Sequence, residues 1–213
     1  WEVVEAVGRV GEEDAPLPVG EPVAGVNLRW YLANAILRRP GPGGAPIAPE
    51  KTVLLSLHAD SLHPSVRGAM AYVPGERFLR SSYGRNTAFY RTFREVRDEP
   101  VVSFTKKDRV LSEGASNALA EKLVSAFRKH ELPVHQFRPV RTHVIRSGRE
   151  WVPAVLRYSK VPNRVLFEIS NLANEKDRAL TLTREYRQKA AQALAEGLVA
   201  FFGGAAEERP VEL

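Results

Sequence analysis

Apolar and polar positions along the chain change period several times, and each change marks a predicted element. Val26, Trp30, Ala33 and Leu37 recur at helical spacing, which predicts a helix of about three turns. The run RRPGPGGAPIAPE stops it, because proline and glycine there favour turns. Residues 53 to 57, VLLSL, are nearly continuously apolar, as in a strand buried on both faces of a parallel sheet. GAMAYV at 68 to 73 predicts a second strand, and residues 134 to 145 and 164 to 168 read as further strands. Ala115, Leu119, Leu123 and Phe127 mark one face of a helix over 113–130. Tyr186, Ala190, Leu194, Leu198 and Phe201 mark another over 184–202. Strands alternating with helices predict an α/β fold with a mostly parallel central sheet and helices on both of its faces.

Three segments interrupt that pattern. Residues 1–24, with Pro16, Pro18 and Pro22 as breakers, read as a linker or a remnant of an upstream portion. The main domain spans 25–203, and GGAAEERP opens a tail over 204–213. Inside the domain, 74–111 is a long basic excursion with nine Lys/Arg against five Asp/Glu. Tyr83, Phe89, Tyr90, Phe93 and Phe104 are interleaved there, and a helix is predicted near 86–97.

Composition narrows the classes. A chain of 213 residues, 44% hydrophobic and 26% charged, suits one globular core. No apolar run approaches a membrane span. Trp1 opens without a basic stretch and apolar core, so no signal peptide is expected within the sequence. With no cysteine, disulfides, thiolate catalysis and cysteine metal sites are excluded, and any metal must use His and carboxylates. A formal charge of +6 suits an anionic partner, whether nucleic acid, membrane surface or wall polymer. Nothing resembles a nucleic-acid-binding motif, so no nucleic-acid partner is expected.

Chemistry gathers beyond the carboxyl ends of strands in open α/β sheets. VLLSL runs into His58 and RVLF into Glu168. As parallel neighbours they would face one crevice, an imidazole and a carboxylate suited to metal ligation and general base work. The plainer alternative is that strand-end polar groups satisfy loop backbone. His63, His130 and His135 read as surface or satisfied-core residues, and His143 as a group approaching a substrate groove.

The local words favour the first alternative. LLSLHADS at 54–61 resembles the SIHADS box of zinc-dependent N-acetylmuramoyl-L-alanine amidases, which trim peptidoglycan. NLRWYLAN at 27–34, VRGAMAYV at 66–73 and VLFEISNLANEKDR at 165–178 resemble other words of that family, in the same order. The resemblance covers about residues 25–203. It implies that His58 is a zinc ligand and Glu168 the catalytic base. Asn174 would shape the loop beside the site, and Asp60 would orient backbone there. It implies zinc as cofactor, peptidoglycan as partner and substrate, and a periplasmic or extracellular place in the cell envelope. Related amidases carry an insertion near 74–111 whose helix blocks the site until an activator protein moves it, so an activator is an implied partner.

The chain departs from that family at three places, the excursion over 74–111 being one. The DPGHGG box and the following helix-start Glu, which supply two zinc ligands, have no match; Glu2, Glu5, Glu12, Glu13 and Glu21 are candidates by type alone. The domain is therefore expected to lack its first strand and helix. Asn171 stands where the family carries an aromatic, with small changes in loop packing expected. If the ligands are lost, the alternative is an inactive amidase-like domain that binds or regulates the cell wall.

Overall fold

A computed structural model of the chain describes residues 24–85, 87–146 and 148–207. The segment before 24 and the last residues of the tail lie outside these. In chain order the elements are α1 (Ala24–Leu37), β1 (Val53–Asp60), β2 (Met70–Tyr72), β3 (Ser82–Gly84), α2 (Arg94–Asp98) and β4 (Val101–Ser103). They continue with α3 (Lys106–Lys129), β5 (Val140–Arg141), β6 (Val144–Arg146), β7 (Arg149–Trp151), α4 (Ala154–Arg157), β8 (Asn163–Asn171), α5 (Glu175–Leu182) and α6 (Arg184–Glu207).

The central sheet has the order β1-β8-β2-β5. β1 runs parallel to β8 and β2 parallel to β5, whereas β2 and β8 are antiparallel. Alternation along the strands sorts side chains to two faces. Ala71, Val165 and Phe167 face α3 and α6, packing on Leu119, Leu123, Phe127, Ala190 and Leu194. Met70, Tyr72 and Leu166 face the other way, onto Val152 and Leu156. The α/β architecture with helices on both faces is thus present, with one antiparallel pairing among the described strands.

β8 is buried along nearly its whole length. Arg164 on it is fully buried with no carboxylate partner among the described residues, and burial pushes its pKa down to about 9. Its guanidinium donates to the carbonyls of Leu156 and Val161 and to the Ser112 hydroxyl, tying β8 to α3 and α4. β1, by contrast, is not buried on both faces as its apolar run predicts. It is the outer strand among those described, half-buried throughout, with Leu57 53% exposed.

The excursion folds differently from expectation. In place of a helix over 86–97 there is a 3-10 turn at Tyr90–Thr92 and a five-residue helix, α2, with β3 and β4 paired around them. Tyr90, Val96, Val102 and Phe104 build a second apolar cluster on Trp30, Tyr31 and Tyr158. Their burial sets the local path, and helical periodicity there was a coincidence of aromatic spacing. α1 correspondingly turns a different face inward: Asn27, Trp30, Tyr31 and Asn34 are buried, while Val26 is 43% exposed. The asparagines are satisfied, Asn27 by the Tyr90 hydroxyl and Asn34 by the Tyr158 carbonyl and Lys160 N–H. The last helix also continues past the expected start of the tail at 204, to Glu207.

Candidate functional site

The pairing of β1 with β8 brings His58 level with Glu168. Residues directly opposite in a sheet point to the same face, and this face is the one away from α3 and α6. One step on, the register shifts, so that Asp60 lies opposite Asn171. A cleft of about 650 Å³ opens over this end of the sheet, and Arg29, His58, Asp60, Tyr72, Trp151 and Glu168 are among its lining residues.

The loop after β1 is held in place by two buried polar side chains. Asn171 is fully buried. Its Oδ1 accepts from Leu62 N at 2.9 Å and its Nδ2 donates to the His63 and Val66 carbonyls at 3.0 and 2.8 Å. Asp177 accepts from Gly68 N at 2.7 Å, Asn171 N at 3.1 Å and Arg67 Nε at 3.0 Å. Gly68 has φ +87°, and a Cβ there would lie 2.6 Å from the Val134 carbonyl carbon, so only glycine fits. Asn174 caps α5 through Asp177 N at 3.1 Å and donates to the Pro64 carbonyl at 2.6 Å. Asp60 Oδ1 accepts from Ser61 N at 2.7 Å.

Burial governs the electrostatics. Glu168 is 7% exposed, and its Oε2 is buried without a hydrogen-bond partner. Burial, helped by the charge of Asp60, pushes its pKa up to about 8. Burial also lowers the pKa of His58, with the Arg29 charge adding to this and Asp60 opposing it. The ring is therefore biased to the neutral form that a metal requires. His58 Nε2 meets the Ser56 hydroxyl at 3.0 Å. Trp151 presents an indole N–H that is likewise buried and unpartnered.

A catalytic zinc takes three protein ligands and keeps one position open. Among the described residues no group of three or more His, Asp or Glu gathers to hold a metal. His58 and the unpartnered Glu168 oxygen fit one ligand and one base; Glu2, Glu5, Glu12, Glu13 and Glu21 lie outside the described residues.

The remaining histidines fall elsewhere. His63 is exposed and meets the Ser65 hydroxyl at 2.8 Å. His130 ends α3 and pairs with Glu196 at 3.0 Å. His135 and His143 line a neighbouring hollow, and His143 pairs with Glu150 at 3.2 Å. None of these four lines the cleft that holds His58. Sequence patterns missed Arg29, Tyr72 and Trp151 as cleft residues, although Arg29 and Tyr72 stand inside the NLRWYLAN and VRGAMAYV words.

The basic excursion does not plug the site. No described residue of 74–111 lines the cleft; the excursion packs on α1 and reaches the β6–β7 hairpin through Arg77–Glu150 at 2.6 Å.

Residues 47–200 match the family model described as N-acetylmuramoyl-L-alanine amidase. The N-acetylmuramoyl-L-alanine amidase AmiA of Escherichia coli K12 is 26% identical over 211 residues, covering 92% of this chain and 71% of AmiA. AmiA of Salmonella typhimurium is also 26% identical, with the same coverage. Among solved structures, an N-acetylmuramoyl-L-alanine amidase from Clostridium difficile 630 superposes with a TM-score of 0.50 at 14% identity, over 84% of this chain and 65% of that one. It shares the fold.

Proposed function

The chain belongs to the N-acetylmuramoyl-L-alanine amidase family, and from that premise we propose that its cleft hydrolyses the peptidoglycan amide between N-acetylmuramic acid and L-alanine with a zinc-activated water. The observation that carries this is the pairing of His58 with Glu168 on adjacent strands, with one carboxylate oxygen buried and unpartnered.

His58 would be a ligand of the metal, and bound zinc would lower the pKa of its water to about 7 and polarise the amide carbonyl. Everything else falls to side chains. Glu168, on the floor of the cleft, takes the water proton on Oε2 and returns it to the departing alanine nitrogen. Alone it holds its own proton to about pH 8; a cation beside it favours the ionised form that a base requires. Asp60 braces the turn after β1, and Asn171, Asn174 and Asp177 fix the loop that follows. Tyr72 and Trp151 wall the cleft against water.

Such a substrate assigns the protein to the cell envelope, in the periplasm or outside the cell. Arg80, Arg91, Lys106 and Lys107 project from the excursion and support retention on anionic wall polymer. The excursion is also the surface on which an activator protein would act. No described helix is long and apolar enough to cross a membrane.

An inactive wall-binding module is the second reading, favoured by the absence of a three-ligand group among the described residues. Metal analysis of the purified chain separates the two. Zinc near one per chain, lost in His58→Ala and kept in Glu168→Gln with turnover abolished, supports the enzyme. A folded protein without zinc supports the module.

A further inference from the structure

The cleft does not end at the catalytic pair. Leu62, Tyr72, Val144 and Ile145 line it and also line a second hollow of about 430 Å³. The two form one groove with Tyr72 as its floor. Its ends differ in charge. Arg29 and His58 lie beside Asp60 and Glu168 at the first end, whereas His135, Arg138, Arg141 and His143 line the second, which has no Asp or Glu in its wall.

Arg141 is held ready in this second hollow. Its Nε donates to the Arg138 carbonyl at 3.1 Å and its Nη2 lies 3.4 Å from His135 Nε2. Arg138 has φ +49°, a left-handed backbone that a non-glycine side chain rarely adopts, and that turn is what aims its carbonyl at Arg141. Arg67, Arg77 and Arg109 each pair with a carboxylate. Neither Arg138 nor Arg141 pairs with one among the described residues. The hollow thus presents two guanidiniums without a carboxylate partner among the described residues, and the planar guanidinium fork of Arg141 is suited to bridge a carboxylate.

We propose that this basic hollow is a subsite for a free carboxylate on the peptide of the substrate, gripped by Arg141. The proposal rests on the wall-peptide amidase reading for the identity of the ligand. Sheet geometry sets which carboxylate. Arg141 is level with Tyr72, and Glu168 with Met70 on the same strand. Two strand spacings and a two-residue offset separate Arg141 from Glu168, about 12 Å. An extended peptide covers that in three to four residues. The acidic group is thus borne a few residues beyond the scissile amide, and exposed Phe137 offers an apolar rim beside it.

The test uses two muramyl tetrapeptides, identical except that the peptide carboxylates are free in one and converted to carboxamides in the other. Each is titrated calorimetrically into the whole chain, and hydrolysis is followed separately. The free acid is expected to bind at least tenfold more tightly. Arg141→Gln should erase that preference. Equal binding of both peptides by the unaltered protein overturns the proposal, as does a preference that survives Arg141→Gln. Should that variant not fold, Arg141→Lys keeps the charge but loses the fork, and an undiminished preference there overturns it equally. Binding without cleavage would refute the amidase chemistry and keep the subsite; cleavage of both peptides with equal affinity would do the reverse.

Discussion

Glu168 holds its proton when folded far above the pH at which the unfolded chain releases it, so its effect on stability has a definite sign. Below its ordinary pKa of 4.5 the carboxyl is neutral in both states. Between there and about 8 only the unfolded state ionises, so folding stability falls as pH rises through that window and levels off above it. Glu168→Gln removes the effect. In chelator-treated protein, the variant should match the parent near pH 4.5 and exceed it by a few kcal/mol at pH 8.5. Urea unfolding at both values checks this; a gain that is equal at the two would contradict it. Turnover should fall at least 100-fold in the same variant. Asn171→Ala leaves the Leu62 N–H and two carbonyls without their partner in a buried setting. A loss of about 3 kcal/mol is expected, with weakened activity from a displaced loop. His58 and Glu168 were legible because strand-end position and local words agreed on them. Asn171 read as a minor departure, since the backbone groups it satisfies sit more than a hundred residues away and meet it only after folding.

Among elements, the crossing of α3 on α6 offers an internal control. Gly197 on α6 lies against α3, where a Cβ would come 2.9 Å from the Leu123 Cα. Gly114 on α3 has nothing within 4 Å. Gly197→Ala should destabilise by about 1–3 kcal/mol through overpacking, and Gly114→Ala should stabilise by about 0.5–1 kcal/mol through helix propensity. Melting temperatures moving in opposite directions check the pair. The apolar stripes of these two helices were plain in the sequence, but the start of α3 was not. It begins at Lys106 on a Thr105–Asp108 capping box, in a polar first turn that lacks the apolar period. β3, β4, β6 and β7 are three residues each, too short for alternation to declare itself. α2 shows the converse, where aromatics recruited to the cluster on α1 imitated a longer helix.

For the whole molecule, a ligand bound only by the folded state raises stability by mass action, about 2.7 kcal/mol at a concentration one hundred times its Kd. Zinc should therefore raise the melting temperature of the full chain and not that of His58→Ala. The same scan with chelator should return both proteins to one value. The excursion over 74–111 bears on this scale too. It seats Trp30 and Tyr31 of α1, the helix that carries Arg29 into the cleft, so removing 77–109 should lower stability as well as any retention on sacculi. Titrating salt against sacculus binding by the intact chain reads the charge alone, and binding indifferent to salt would argue against an electrostatic hold.

One strand decides when the site comes into being. β8 supplies Glu168, pairs both β1 and β2, and stands more than a hundred residues downstream of β1. Closing so long a loop is slow relative to forming the helices. A folding chain therefore holds His58 with no carboxylate opposite until β8 has threaded between β1 and β2, and the pair of His58 and Glu168 forms only then. For a protein whose substrate is the wall that contains the cell, the strand order acts as a delay fuse.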